Sequence, residues 1–520
     1  MGRACDLLDS LRARGVKLWF CDDQIRYRAM KGIINRADIE LLQEHGTEIL
    51  EILKQTSAVD TQLPESDHKA LEETLPLSFQ QEWVWSWLTR NTSNCAITLA
   101  LRLCGGLNPE WLKSSLTSLT ENHDSLRTTL VEVDGQRRQK VVKSTAFDWD
   151  VIEVPAGGAA DARENASLLI RALFARRMNW VAGPLFTAKL YRVSPGEHVL
   201  AIAIHHMIAD AMSINRMLRE LLKGYRDLAV GKQGLLAKDA QQYGDYVCWQ
   251  RRTYFERLDE NERFWDRKLR DVPTAKWPVD GYSDEWPRQG NALLDIELGL
   301  EVSAELHNLA AQKGTTVALV ALALYASLVF CWSDQSDIVV PFIVASRILP
   351  SHASIVGLLA HPLFIRIEIE KAQTFAELLE HISEEFRAAY WHLDFGKMAA
   401  TRSDLLGCPT VQWLSEQIDH TGGLESSSAS VEGDELTIEP FSVETDWLDS
   451  VKVEAPLGVE FWNTAEGIRV QVFYRADLFQ ATAMERFSVI LRSIARAVAR
   501  DGDTSIPSLR EKLSSPALIE

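Results

Sequence analysis

Apolar and polar positions change register along this chain, and each change marks an element. Leu7, Leu8 and Leu11 at helical spacing predict a short amphipathic helix that Arg14-Gly15 ends. Val16-Lys17-Leu18-Trp19-Phe20 and Ile25-Arg26-Tyr27-Arg28 then read as two strands around Cys21-Asp22-Asp23-Gln24, which is a hairpin pattern. Alternation puts Ile25 and Tyr27 on one face and Arg26 and Arg28 on the other. Asp38 can cap a following helix in which Ile39, Leu42, Ile49, Leu50 and Leu53 recur, with Gly46 as a weak point. From Thr56 to about Thr74 the periodicity is lost, polar residues and Pro64 gather, and the segment reads as a tether. From Leu75 onward the pattern is mixed α and β.

Two later runs stand out. Val317 to Trp332 is almost wholly apolar, yet Tyr325 and Ser327 interrupt it and it falls short of the roughly 20 residues a bilayer requires. It predicts a buried helix, feeding the strand-like Ile338-Val339-Val340. The second run is Ala201-Ile202-Ala203-Ile204-His205-His206-Met207-Ile208-Ala209-Asp210-Ala211, an apolar strand that delivers two histidines and, four residues beyond the second, an aspartate. Helical spacing resumes from Met212 to Leu222. His206 at a strand end can act as a general base, and Asp210 at the turn can hold local geometry. The bland alternative is a pair of satisfied core histidines. A metal site is disfavoured, because adjacent strand residues point to opposite faces and His205 and His206 cannot grip one ion.

Composition narrows the partners. The 520 residues are 46% hydrophobic and 25% charged, which suits a soluble globular protein of two or three domains. Residues 1–56 carry nine Lys/Arg and nine Asp/Glu, so the whole net charge of -18 lies downstream. An acidic body excludes nucleic-acid backbone as a partner, since phosphate binding needs clustered positive charge. The start shows no basic segment followed by an apolar one, and the reading is a cytoplasmic protein without membrane attachment. The seven cysteines are scattered without C-x-x-C pairs or metal spacing and are expected to be reduced and mostly buried.

The H-H-x-x-x-D run has company. Leu77-Ser78-Phe79-Gln80-Gln81-Glu82-Trp83-Val84-Trp85, Asn122-His123-Asp124-Ser125-Leu126-Arg127-Thr128, Tyr243-Gly244-Asp245-Tyr246-Val247-Cys248-Trp249-Gln250, Ser346-Arg347, Gly357 to Arg366, His392-Leu393-Asp394-Phe395 and Arg402-Ser403-Asp404-Leu405-Leu406-Gly407-Cys408-Pro409 follow in order. Together they make residues 75–510 resemble nonribosomal peptide synthetase condensation domains of the chloramphenicol acetyltransferase-like superfamily. That resemblance implies an α/β (α+β) fold of two related lobes in a V, residues 75–250 and 251–510, around a central tunnel, with a tail over 511–520. It implies His206 as the catalytic residue, taking the nucleophile's proton or positioning it, and structural roles for His205 and for Asp210. The aspartate would pair with an arginine, Arg347 first and Arg127 second. Ala211, Ser346 and His361 would lie along the tunnel. Three positions depart from the family: Ala211 replaces glycine, Trp83 stands where arginine is common, and His361-Pro362 occupy the place of Asn-Thr. His361 argues against a standard amino-acyl acceptor.

The N-terminal 56 residues resemble the β-hairpin docking domains of assembly-line subunits, on the helix, Gly15-Val16-Lys17-Leu18 and the run Asp23 to Gly32. The resemblance implies that Lys17, Arg26 and Arg28 meet an acidic C-terminal motif of a carrier protein, which adds a strand to the hairpin. Without it, the basic residues read as a solvated face. No adenylation or carrier segment is recognised after the condensation body. The expectation is therefore a monomeric acyltransferase without cofactor or metal, whose acyl or peptidyl donor rides the phosphopantetheine arm of a separate carrier and whose acceptor is a free small molecule. The product would be an ester or amide, and transfer would release the chain. Heterocyclisation is excluded by the missing D-x-x-x-x-D, epimerisation by its usual place after a carrier, and plant-type acyltransfer by Lys397-Met398 after Asp394-Phe395-Gly396. The rival of another class is a catalytically silent recruitment platform.

Overall fold

The structure, a computed structural model, describes residues 17–21, 24–28, 41–42, 45–46, 49, 74–88, 95–133, 135–143, 147–155, 158–232, 241–273, 291–392, 408–415, 429–431, 434–441, 443 and 456–513. Strands β1 (Lys17–Cys21) and β2 (Gln24–Arg28) pair antiparallel, with Lys17 opposite Arg28, Trp19 opposite Arg26, Leu18 opposite Tyr27 and Phe20 opposite Ile25. Farther on, the His45 amide bonds the Leu41 carbonyl at 3.0 Å and the Ile49 amide bonds that of His45 at 2.9 Å, with Leu42 and Ile49 buried. The helix expected at Leu7–Leu11, the other apolar positions of the second helix and the tether up to residue 73 lie outside the described residues.

The first lobe runs β3 (Leu75–Pro76), α1 (Phe79–Leu88), β4 (Ala96–Cys104), α2 (Pro109–Asn122), β5 (Thr128–Val133), β6 (Gln136–Val141), β7 (Asp148–Glu153), α3 (Ala159–Ala175), β8 (Phe186–Ser194), β9 (Glu197–His205), α4 (Ala211–Ala229), α5 (Tyr243–Glu256) and α6 (Leu258–Lys268). All nine residues of β9 are buried because the sheet is covered on both faces. Ala162, Ala166, Ile170 and Phe174 of α3 pack on Ala201 and Ala203. Ile202 and Ile204 belong to the larger core that includes Leu116 and Leu119 of α2 and Met217 and Leu221 of α4. This two-sided burial is why the strand reads as a continuous apolar run and not as alternation.

The second lobe is built from the later part of the chain, which runs β10 (Asn291–Glu297), α7 (Leu300–Gln312), α8 (Val317–Ser333), β11 (Asp337–Val344), β12 (His361–Glu368), α9 (Phe375–Trp391), β13 (Thr410–Ser415), β14 (Ala429–Val431), β15 (Asp434–Pro440), β16 (Leu457–Thr464), β17 (Gly467–Arg475), α10 (Ala481–Arg500) and α11 (Ile506–Leu513). Its sheet has the order β10-β17-β16-β13-β11-β12. The apolar run at 317–332 forms α8, capped by the Thr316 hydroxyl, which accepts the Leu319 amide, and Leu319 to Trp332 are buried. Among the described residues no single helix is long and apolar enough to cross a membrane.

The lobes are not two contiguous halves divided at 250. Helix α5 continues through that point to Glu256, and β15, from the later half, pairs antiparallel with β4. The first lobe's sheet is therefore β14-β15-β4-β9-β8-β7. Nothing local in residues 429–440 signals this, because the partner edge is more than three hundred residues earlier. Cys95, Cys104, Cys248, Cys331 and Cys408 form no disulfide, and of these Cys331 and Cys408 are buried.

Candidate active site

Strand β9 ends at His205, and the next four residues turn the chain into α4. The turn is pinned on both sides: the His205 amide donates to the Leu185 carbonyl at 2.9 Å and the His206 amide to that of Cys95 at 2.7 Å. The two rings are thereby separated. His205 is buried, and its Nδ1 accepts the Met207 amide at 3.1 Å. Burial, reinforced by neighbouring His206, pushes its pKa down to about 4, so it is a neutral structural group at physiological pH.

His206 is only partly buried, and its Nδ1 lies 2.9 Å from the Ala209 carbonyl oxygen. A carbonyl only accepts, so Nδ1 carries the proton and the lone pair is assigned to Nε2. The backbone of the turn thus selects the tautomer and orientation in which Nε2 can take a proton from an O–H or N–H nucleophile.

Asp210 joins the lobes. It is the N-cap of α4, and it is 1% exposed. Its Oδ1 accepts the Ser213 amide at 2.9 Å, the Ser213 hydroxyl at 2.7 Å and Arg347 Nη2 at 2.9 Å. Its Oδ2 accepts Arg347 Nη1 at 2.9 Å and the amides of Leu359 and Ala360, both at 3.0 Å. Burial alone would raise the carboxyl's pKa; the Arg347 guanidinium and the hydrogen bonds from Arg347 and Ser213 outweigh it and hold the group below its ordinary value. Arg347 makes the bidentate pair with Asp210, while Arg127 bonds the carbonyls of Thr120 and Val142 and the Asp124 carboxylate instead.

The seam extends outward from this hub. Ser213 Oγ accepts the Gly357 amide at 3.0 Å, and the Tyr243 hydroxyl accepts from Ser78 at 2.7 Å while donating to the Leu358 carbonyl at 2.9 Å. Sequence reasoning missed Ser213 and Tyr243 as seam residues. The D-x-x-S spacing of Asp210 and Ser213 is a cap signal that was available, whereas the pairing of Tyr243 with Leu358 had none.

Ala211 opens α4 and is half-buried. Ser346 is buried at a φ of +42°, a conformation uncommon for a residue with a Cβ, directly before Arg347. His361 begins β12 opposite Val344 and shares the parity of Leu363 and Ile365, whose partners Phe342 and Val340 lie in the core. Burial lowers its pKa to about 4. That parity is the helix-packed side of the sheet, which differs from the tunnel position the resemblance implied for His361. Pro362 has the opposite parity. Residues 393–407, which hold two of the motif segments, are outside the described residues, as are the side chains of Lys17, Arg26 and Arg28. Among the described residues no group of three or more His, Cys, Asp or Glu could hold a metal ion.

The site is thus a histidine held at the end of a buried strand, with a buried Asp–Arg pair behind it that ties the two lobes together. Residues 71–513 match the family model described as condensation domain, and residues 5–55 match that of the TubC N-terminal docking domain. The chain belongs to the condensation-domain family. Malpinin synthetase of Mortierella alpina is 26% identical over 441 residues, 84% of this chain but 6% of that protein. Surfactin synthase subunit 1 of Bacillus subtilis (strain 168) is 27% identical over 495 residues, 89% of this chain and 13% of that protein. The chain thus spans a small fraction of these relatives. Among solved structures, the X-domain from teicoplanin biosynthesis superposes with a TM-score of 0.70 at 21% identity, covering 84% of this chain and 97% of that one. The starter condensation domain of rhizomide synthetase RzmA gives 0.66 at 16%, covering 86% and 99%. These two likenesses establish the fold.

Proposed function

We propose that this protein transfers an acyl or peptidyl chain from the thioester of a separate carrier protein to a hydroxyl or amine of a free small-molecule acceptor, releasing the chain as an ester or amide. The observation that carries the reading is His206, whose Nδ1 is committed to the Ala209 carbonyl so that Nε2 is left for the nucleophile. The acceptor O–H or N–H gives its proton to Nε2 as its oxygen or nitrogen attacks the thioester carbonyl. The carbon–sulfur bond then breaks, and the thiolate leaving group takes the proton back from the imidazolium. Atoms and charge balance without a cofactor or an acyl-enzyme. The arrangement resembles the chain-releasing condensation enzyme of the enacyloxin polyketide synthase.

The docking hairpin supports delivery of the donor in trans: its paired strands carry Lys17, Arg26 and Arg28, and the body downstream holds the net negative charge. An acidic tail strand added to this edge would raise the local carrier concentration to the order of mM. The test loads candidate carriers with acyl thioesters, adds free alcohols or amines, and follows product by mass spectrometry with wild type and His206→Ala. Product from wild type and a large loss in the folded variant are expected. Equal turnover by both would remove His206 from the chemistry, and carrier binding without turnover on any acceptor would favour the silent platform.

A further inference from the structure

A cavity of about 470 Å³ lies in the first lobe between the end of α3, the segment 176–184 that follows it, and the starts of β7 and β8. That volume falls in the range of about 300–1,000 Å³ that small-molecule sites occupy. The cavity sits behind the strand that delivers the two histidines. Thr187 and Ala203, both on its wall, pair in register across β8 and β9, and Ala203 lies two residues before His205 on the side of the sheet that α3 covers. Pro184, also on the wall, precedes Leu185, whose carbonyl accepts the His205 amide. None of these wall residues takes part in the proton transfer at His206.

The wall divides by chemistry. Phe147, Leu173, Met178 and Ala203 are apolar, while the polar groups it can offer a ligand are hydrogen-bond donors. Asp148 is already matched: Lys189 Nζ lies 2.5 Å from its Oδ1 and Arg176 Nη1 3.3 Å from its Oδ2. The Asn179 side-chain oxygen accepts the amides of Val181 at 3.1 Å and Ala182 at 2.9 Å, so its NH2 is the group it presents. Arg176 and Arg177 bring guanidinium groups, which donate only and stay charged. Thr187 adds an independent sign of a ligand. It is 6% exposed, it lines the cavity, and among the described residues its hydroxyl has no hydrogen-bond partner. A buried polar group left unmatched costs free energy that a ligand atom can recover. Thr187 also stands opposite Asp148 on the neighbouring strand, so its hydroxyl and the Arg176 guanidinium flank the same end of the cavity. Donors and net positive charge on one side, with apolar surface on the other, suit an anion that carries a hydrocarbon part. A carboxylate fits the guanidinium fork with its two coplanar oxygens.

We propose that this cavity is a second binding site, separate from His206, for a small amphipathic carboxylate whose head accepts from Arg176, Arg177 and Thr187 and whose chain lies against Phe147, Leu173 and Met178. The test is calorimetric binding to the full-length chain of straight-chain acids from acetate to decanoate, with octanol and octylammonium as controls. Wild type, Arg177→Gln, Thr187→Val, Thr187→Ser and His206→Ala are compared. In wild type, each added methylene should tighten binding about fourfold until the cavity is full, after which affinity levels off. Octanol and octylammonium should bind at least about tenfold more weakly than octanoate. Arg177→Gln and Thr187→Val should each weaken octanoate about tenfold, the worth of one hydrogen bond to a charged group, while Thr187→Ser restores binding and His206→Ala leaves it unchanged. Arg177 is exposed, so its variant keeps the fold even where a change at buried Thr187 does not. Three results overturn the assignment: no acid binds wild type, octanol binds as tightly as octanoate, or binding survives Arg177→Gln and is lost in His206→Ala, which would put the acid at the catalytic histidine. Turnover is not the readout, so failure of the transfer reading leaves this outcome intact.

Discussion

Replacing Asp210 by Asn preserves the shape of the hub and removes its charge, which makes it a sharp probe of how the lobes are joined. Each carboxylate oxygen faces three donors, at 2.7–2.9 Å on Oδ1 and 2.9–3.0 Å on Oδ2. Whichever way an amide turns, its NH2 confronts three N–H or O–H groups. Arg347, 6% exposed, keeps the amide oxygen, the carbonyls of Ala345 and Ile355 and the Ser213 hydroxyl as acceptors but loses the one carboxylate that balances its charge. Removing one partner of a buried pair costs about 3–5 kcal/mol, and the same loss is expected here, read as a lower urea midpoint from tryptophan fluorescence. Arg347→Met should cost about as much for the mirror-image reason. The double variant carries no uncompensated charge, so its loss should fall well short of the sum of the two. Activity should drop in both single variants, since the turn holding Ala209 against His206 runs straight into Asp210. An unchanged midpoint for Asp210→Asn, or strictly additive losses in the double variant, would refute a coupled structural pair.

Three further outcomes are expected. His205 and His361 have folded pKa values of about 4 against an ordinary 6.5, so their contribution is fully present above pH 6.5 and is lost as pH falls toward 4, because the unfolded chain takes up the protons first. That amounts to about 3 kcal/mol each at most, and urea titrations at pH 7.5, 6 and 5 should show the loss; a flat profile would contradict buried neutral rings. Gly357→Ala would drive a Cβ into the ring of Tyr243, whose hydroxyl is tied to Ser78 and Leu358; a fall in Tm worth about 1–3 kcal/mol is expected, and an unaltered Tm would show that the seam yields. Reversing Arg26 and Arg28 to Glu, or deleting residues 1–56, should raise KM for a tail-bearing carrier and leave a small thioester donor unaffected, with salt weakening wild-type docking because exposed charges are screened within about 10 Å at roughly 0.1 M; equal losses on both donors would make the N-terminal unit a folding element.

Features written in local spacing were legible from the chain alone. The hairpin registers Lys17 with Arg28, as alternation around Cys21 to Gln24 requires. The apolar run becomes α8, and the apolar strand ends at His205. These follow from nearest-neighbour sterics and from the periods of helix and strand, which any short window contains. The family motifs likewise named His206, Asp210 and Arg347, although only the fold brings the last two, 137 residues apart, to 2.9 Å. What the chain did not disclose is the long-range register. Strand β15 joins the first lobe's sheet, His361 takes the core parity of β12, and Gln412 meets Glu460 across a parallel pair. A strand carries no mark of its partner, and a shift of one residue exchanges its faces. Which polar residue faces the core and which faces the open side was therefore settled by packing two lobes together, a choice made between residues hundreds of positions apart.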